Sequence, residues 1–321
     1  MKAIEVSEFG DSSVLKYKEV EEPVLKDDEL YVSLRAAAVN PVETYVRQGT
    51  YAQLPSLPYI PGKDGAGIVK TVGANVKTFK PGDRVFLTVD SNAQSGTYAQ
   101  GISCKETEVT FLPENMSYNE GAALGSSGLT ALYALKQKAD IKSGDLLLIH
   151  GASGGVGTLM LQFAKLYGAK VIATAGSEEG LQVLRDLGAD YVFNHHKDGY
   201  IDEIKNYGID VIIEMLANVN LQNDLEVIGK QGKIVIVGNR GEITINPRLL
   251  MMKEATVTGL LLSNITADEV EENTKLLLSG LENGVKPVID KVFPLNEADK
   301  AQDYIMDNRG SLGKVILSIN G

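Results

Sequence analysis

The run His150-Gly151-Ala152-Ser153-Gly154-Gly155-Val156-Gly157 concentrates small residues where a backbone can approach a ligand closely. It follows the apolar run Leu146–Ile149 and opens a segment of helical spacing, Val156 to Tyr167. Strand, loop and helix in that order form the context that a dinucleotide fingerprint requires. Small side chains admit a pyrophosphate, and the first N–H groups of the helix, with its dipole, supply positive character. The order is Ala152-x-Gly154-x-x-Gly157, with alanine at the usual first glycine. A ligand-free tight turn uses similar residues; the flanking strand and helix favour a nucleotide.

Selectivity between cofactors turns on the second strand of such a unit. Sites that prefer NAD place Asp or Glu about 20 residues on, against the ribose 2′-hydroxyl. Here that strand ends Ile172-Ala173-Thr174-Ala175-Gly176-Ser177, without a carboxylate, which permits the 2′-phosphate of NADPH. Glu178 and Glu179 fall at a helix start and complement its dipole. His195, Lys197, Arg240 and Arg309 are the candidate positive partners for that phosphate.

The elements that carry this loop alternate regularly. Strands are predicted at 146–149, 170–174, 191–193, 211–214 and 234–237, with helices at 156–167, 178–187, 201–207 and 221–228 between them. Gly168, Gly188, Gly208 and Gly232 each stand between a helix and the next strand, where positive φ ends a helix cheaply. Repeated strand–helix–strand units imply a parallel sheet covered on both faces. Residues 1 to about 118 differ: they are punctuated by Pro and Gly and read as short strands, a small β-barrel-like domain. Tyr118 to Leu135 is a helix interrupted by Gly-Ser-Ser-Gly, and a helix from Asp268 to Gly280 leads to strands near Val288 and Val315.

Bulk properties narrow the function. A chain of 321 residues, 44% hydrophobic and 23% charged, is globular and long enough for about two domains. Its net charge of −11 disfavours nucleic acid as a main partner. No apolar stretch is long enough to span a membrane, and the N-terminus lacks a secretory signal, so a cytoplasmic protein is expected. The single cysteine, Cys104, excludes an intrachain disulfide framework and is expected to be an inert buried thiol. The adjacent His195 and His196 are expected to point apart, as neighbours on a strand end do. The acidic pairs Glu21-Glu22 and Asp27-Asp28 flank turns and read as solvated.

End to end, the chain resembles the zinc-free quinone oxidoreductases of the medium-chain dehydrogenase/reductase superfamily, of the ζ-crystallin type. The resemblance is carried by Val39-Asn40-Pro41-Val42-Glu43-Thr44-Tyr45, Pro61-Gly62-Lys63-Asp64-Gly65-Ala66-Gly67, Lys80-Pro81-Gly82-Asp83-Arg84-Val85 and the glycine-rich loop. Phe193-Asn194-His195, Ile213-Glu214-Met215-Leu216-Ala217-Asn218-Val219-Asn220 and Ile245-Asn246-Pro247-Arg248 extend it. It implies an α/β fold, a Rossmann doubly wound parallel sheet over 121–264. A GroES-like β-barrel catalytic domain would be built from 1–120 and 265–321, with NADPH in the cleft between the two.

The cofactor contacts that the resemblance implies are Tyr45, Thr130, Ala152, Ser153, Gly154, Gly155, Val156, Gly157, Gly176, Ser177, His195, Asn220, Val237, Gly238, Asn239, Arg240, Leu260, Leu261, Leu262 and Arg309. Gly180 stands where several relatives have a lysine for the 2′-phosphate. A homodimer or homotetramer is also implied.

Where zinc-dependent relatives hold their metal, this chain has Asn40, Lys63 and Asp64. A lysine ammonium offers no lone pair, so no catalytic zinc is expected. Lys63 and Asp64 read either as a surface ion pair or as part of the active cleft. Quinone reduction suits a metal-free site, because the hydroquinone anion delocalises its own charge. Asn40 and Tyr45 are the candidate catalytic residues, as donors to that oxyanion, with Tyr45 also readable as an aromatic wall. The expected substrate is a small quinone. The alternatives are an NADPH-dependent alkenal or enone reductase and a non-catalytic structural or RNA-binding protein.

Overall fold

The computed structural model describes residues 1–90, 93–307 and 312–320. Its first elements are β1 (Lys2–Glu5), β2 (Lys16–Glu19), β3 (Glu29–Val39), α1 (Pro41–Arg47), β4 (Asp64–Val72), β5 (Arg84–Thr88), β6 (Gly101–Lys105) and β7 (Val109–Phe111). Next come α2 (Tyr118–Leu132), β8 (Leu146–Ile149), α3 (Gly155–Leu166), β9 (Lys170–Ala175), α4 (Glu178–Asp186), β10 (Tyr191–Asn194) and α5 (Tyr200–Ile204). The chain continues through β11 (Ile209–Glu214), α6 (Ala217–Val227), β12 (Ile228–Ile236), α7 (Pro247–Lys253), β13 (Thr256–Gly259) and α8 (Ala267–Glu282). It closes with β14 (Ile289–Pro294), α9 (Ala298–Asp307) and β15 (Lys314–Ser318).

Two compact units result. One holds Met1–Ser126 with β14, α9 and β15; the other holds Ser127–Lys286. In the first, a seven-stranded sheet runs β14-β15-β3-β4-β5-β7, and β6 also pairs with β3. The eleven residues of β3 are long enough to serve β6 with one half and β15 with the other. Its register against β4 shifts between Tyr31 and Val32 and again between Leu34 and Ala36, the irregularity that curls a sheet toward a barrel. Leu30, Val32, Leu34, Val85, Leu87, Ile102 and Leu317 fill the interior, each no more than 1% exposed.

In the second unit six strands pair in parallel, in the order β10-β9-β8-β11-β12-β13, the reversal of a doubly wound fold. Leu147, Leu148, Ile149, Val171, Ile172, Ile212, Ile213, Ile234 and Val235 are buried on both faces, as a helix-covered sheet demands.

Several expectations need correction. Helix α2 runs unbroken through Gly125-Ser126-Ser127-Gly128, because the two glycines answer to packing. A Cβ on Gly125 would lie 2.5 Å from Asp64 Oδ1, and one on Gly128 would lie 2.9 Å from a Leu277 methyl. Helix α2 also crosses the expected boundary at 120. At the far boundary, α8 stays in the second unit rather than starting the return at 265: Leu277 meets Gly128, and Gly280 meets Phe163. Gly168, Gly188 and Gly208 do take positive φ, but after α6 that conformation falls on Gln231 (φ 62°), inside β12, and not on Gly232. Gly232 is needed instead for space beside the Ile228 side chain and Asp210 O. Strand β12 accordingly begins at Ile228, directly after α6.

Candidate functional site

In the second unit the predicted cofactor residues collect at the carboxyl ends of the parallel strands, where open α/β sheets bind ligands. Gly151 takes φ +56°, and its N–H donates to Thr174 Oγ1 (3.1 Å), while Ala152 N donates to Thr174 O (2.8 Å). Thr174 of β9 thus pins the loop that leaves β8. Gly157 brings α3 onto the loop so closely that a Cβ would fall 2.6 Å from Ala152 Cα. The N-cap of α3 is Gly154, which offers no side chain to the first-turn N–H groups; α4 and α8 are capped by Ser177 and Thr266. A helix start left without its own cap, beside residues without bulk, fits an anionic pyrophosphate. Gly313 pairs with Gly154 across an isolated bridge, and Ser153 is buried.

Gly176 and Ser177 follow β9, and His195 follows β10, its N–H donating to Ala175 O (3.1 Å). The Ser177 hydroxyl accepts from Gly180 N at 3.1 Å. Gly180 leaves no room for a longer residue: its Cβ would sit 2.9 Å from Ala175 Cβ and 3.2 Å from Ser153 Oγ. Burial pushes His195 down to about 4, with His196 and His150 adding to the effect. His195 is therefore a neutral hydrogen-bonding group here, not the expected cation. The two histidine rings do not point apart; they meet edge-on, 4.5 Å between centroids, because both lie beyond the last strand residue. Lys197 is paired with Glu203 (3.0 Å). The Arg240 guanidinium has no hydrogen bond or ion pair among the described residues, while its backbone N donates to Asn218 Oδ1 (2.9 Å). Arg309 lies outside the described residues.

On the other side of β8, Glu214 ends β11 and gathers its neighbours. Its carboxylate accepts from Leu216 N and from Asn220 Nδ2 (3.2 Å), and its backbone oxygen accepts from Val237 N and Gly238 N. Gly238 is required there, since a Cβ would lie 2.3 Å from Met215 O. Asn239 and Arg240 are exposed beyond it. Leu260 N donates to Ile236 O (3.1 Å), which places Leu260, Leu261 and Leu262 at the end of β13. Thr130 sits apart from these strand ends in sequence and element, buried within α2.

Among the described residues, one group of three could ligate a metal: His150, Glu214 and Asp224, with ligand atoms all within 4.8 Å of one another. The imidazole Nε2 lies 2.9 Å from Asp224 Oδ1.

The first unit contains a second polar cluster, in which Asn40 is fully engaged. Its Nδ2 donates to Glu43 Oε1 (3.0 Å) and to Asp64 Oδ2 (3.0 Å), and its Oδ1 accepts from Lys314 Nζ and Ser126 Oγ. Asp64 also accepts from Thr88 Oγ1 (2.9 Å) and Ser126 N (2.8 Å). Asn40, Glu43, Asp64 and Lys314 are all at least nine-tenths buried. Burial raises the Glu43 carboxyl, against hydrogen bonds from Asn40 and Tyr98, and burial lowers Lys314, against Asp64 and Glu43. Asp64 is thus no half of a surface ion pair with Lys63.

The set offers no metal pocket either. Both Asn40 amide hydrogens are bound to carboxylates, an ammonium occupies its oxygen, and Lys63 brings a further cation. Tyr45, half-buried on α1, keeps a hydroxyl that makes no hydrogen bond among the described residues. Cys104 is buried, and burial raises its thiol.

Glu43, Tyr98 and Lys314 escaped the sequence reading, as did the contact of His150 with Asp224. A capping pattern at Asn40-x-x-Glu43 was visible, but only tertiary pairing of β15 with β3 brings Lys314 to it.

The family model described as alcohol dehydrogenase GroES-like domain matches residues 26–142, and that of zinc-binding dehydrogenase matches 155–279. The human protein named quinone oxidoreductase is 45% identical over 99% of this chain and 97% of its own. The Escherichia coli quinone oxidoreductase, solved in complex with NADPH, superposes with a TM-score of 0.89 at 30% identity, covering 99% of this chain and 100% of that one. A structure described as an NAD-dependent alcohol dehydrogenase reaches 0.92 at 27% identity, covering both chains fully. The fold is thus shared across cofactor and substrate classes, whereas identity over the full length is narrower. This chain belongs to the quinone oxidoreductase family of the medium-chain dehydrogenase/reductase superfamily.

Proposed function

We propose that this protein reduces small quinones with NADPH and without a metal. The observation that carries the reading is the uncapped start of α3 behind a glycine-rich loop, next to a β9 end that bears no carboxylate. NADPH supplies the hydride when bound. The N–H groups of the first turn of α3 hold its pyrophosphate, and Thr174 keeps their loop in place. Gly176, Ser177 and neutral His195 border the adenosine end, where no acid repels a 2′-phosphate. Arg240, whose guanidinium is unpaired among the described residues, is a cation available to phosphate groups.

Hydride addition leaves a phenolate-like anion whose charge is already spread over the ring, so positioning matters more than Lewis-acid help. Tyr45, whose hydroxyl makes no hydrogen bond among the described residues, is the donor to that anion. Asn40 orients the buried carboxylates instead, since its own hydrogens are taken. Titration of NADPH and NADH by fluorescence, followed by turnover with 1,4-naphthoquinone and 9,10-phenanthrenequinone, tests the reading. Equal affinity for the two nucleotides removes the 2′-phosphate assignment, and faster turnover of enals or enones than of quinones makes it an alkenal reductase.

A homo-oligomer is part of the proposal. Strand β13 is an edge of its sheet, and Met251 and Met252 on the preceding α7 are 77% and 70% exposed. A second copy adding its own β13 would cover both features; light scattering tests this. Among the described residues no helix is long and apolar enough to cross a membrane, and we infer a cytoplasmic location.

A further inference from the structure

Arg47, in the last turn of α1, is only 3% exposed, yet its Nε and Nη1 have no hydrogen-bond partner among the described residues. No carboxylate among them forms an ion pair with it. An arginine keeps its proton in a protein, and a buried charge is tolerated only when something balances it. Asp11 and Asp303 act on Arg47 from a distance, and burial outweighs both. Their exposed carboxylates are bound to serines instead: Asp11 accepts from Ser13 N (2.9 Å) and Ser13 Oγ, and Asp303 from Ser12 Oγ (2.8 Å). Nor does the guanidinium cap its own helix. The last carbonyls of α1, those of Thr44, Tyr45, Val46 and Arg47, accept from the N–H groups of Gln48, Thr50, Gly49 and Gly10.

Two further buried side chains in the same region of the first unit are also unsatisfied. The Tyr59 hydroxyl and both amide atoms of Gln302, on α9, have no partner among the described residues, and these residues are 2% and 0% exposed. The charge of Arg47 acts on Tyr59 and Tyr98, and Gln302 stands beside Tyr98. Tyr98 itself is spent as a donor to Glu43. Of the eleven buried side-chain polar atoms without a partner among the described residues, five belong to Arg47, Tyr59 and Gln302, so the shortfall is concentrated here. Of those five, only Gln302 Oε1 is unable to donate. Water satisfies donors and acceptors in like measure. A donor-rich set around a fixed positive charge calls for an acceptor that is itself negative.

We propose that Arg47, Tyr59 and Gln302 form a binding site for a small monovalent anion of the halide class, which ties the end of α1 to α9 and to the segment that leads into β4. One guanidinium calls for one negative charge, and the nearby Asp11 and Asp303 disfavour a multivalent anion such as phosphate. The site uses the first unit alone and none of the cofactor residues, so it stands whatever nucleotide the second unit binds.

Melting temperature is followed in rising NaBr at constant ionic strength, with sodium gluconate as the balancing salt, for the wild type, R47M, Y59F and Q302M. The wild type is expected to gain a few degrees and then saturate. R47M should show no such gain. Y59F should need about fivefold more bromide for half-saturation, the worth of one hydrogen bond, and Q302M should shift in the same direction. Crystals grown with bromide give the position: an anomalous peak is expected within hydrogen-bonding distance of Arg47 Nε or Nη1 and of the Tyr59 hydroxyl.

A wild type that responds to bromide no differently from gluconate overturns the proposal, as does R47M with the wild-type gain. Should R47M fail to fold, wild-type half-saturation in both Y59F and Q302M overturns it equally. Waters in place of bromide at these atoms, or stronger stabilisation by inorganic phosphate than by bromide, also decide against it.

Discussion

The ammonium of Lys314 donates to the side-chain oxygen of Asn40, and this fixes the amide with both hydrogens toward Glu43 and Asp64. No other orientation of the amide satisfies two carboxylates and a cation together. The interaction joins the first residue of β15 to the residue that opens α1.

Lys314→Met should therefore destabilise the protein by about 3 kcal/mol, since removal of one member of a buried ionic group strands the others. Urea unfolding of the variant against the wild type measures it. A change within a few tenths of a kcal/mol would show that the carboxylates are held without the lysine.

Tyr45→Phe should lower quinone turnover several-fold while leaving NADPH affinity unchanged. The hydroxyl makes no bond among the described residues that its loss would break, so a fall in kcat reports the reaction itself. Identical steady-state kinetics would leave the ring with only a packing role.

Gly157→Ala should be worse than its single methyl suggests. The added carbon meets the backbone of Ala152, at 2.6 Å from both Cα and O, and backbone cannot swing aside as a side chain would. A loss of about 1–3 kcal/mol is expected from overpacking, with NADPH binding lost beyond detection by fluorescence as α3 shifts off the loop.

Two buried groups should act on stability in opposite directions over nearly the same acid window. Glu214, lifted to about 7 by burial, keeps its proton in the folded state longer than in the unfolded chain, so stability declines as pH rises from 4.5 through 7. His195, lowered to about 4, is protonated first in the unfolded chain, so stability declines as pH falls from 6.5 toward 4. His195→Gln should remove the opposing contribution, so that the melting temperature falls more steeply as pH rises from 4.5 to 7 and keeps its shape above pH 7. The NADPH-to-NADH affinity ratio should also be unchanged by this variant between pH 7 and 8, where His195 is uncharged.

What could be read from the chain alone was local. The alternation that predicts β8 to β12, and the small residues from His150 to Gly157, are contiguous, and both appear where expected. The glycines in α2 misled because a helix breaker by propensity is retained when a neighbour, here Asp64 or Leu277, leaves no room for a side chain. His195 was expected to carry charge because a sequence shows the residue type but not the burial that empties its proton. Lys314 and Asn40 meet only through strand pairing, and neither residue's immediate neighbours announce the other.

That pairing also orders events during synthesis. Strand β3 is made early, yet one edge of its second half stays open until β15 leaves the ribosome, after the whole parallel-sheet unit has been translated. The nucleotide-binding unit can thus mature first, while a bare strand edge waits beside it. A nascent chain stalled before residue 314 should attract chaperones at β3, and one released after 320 should not.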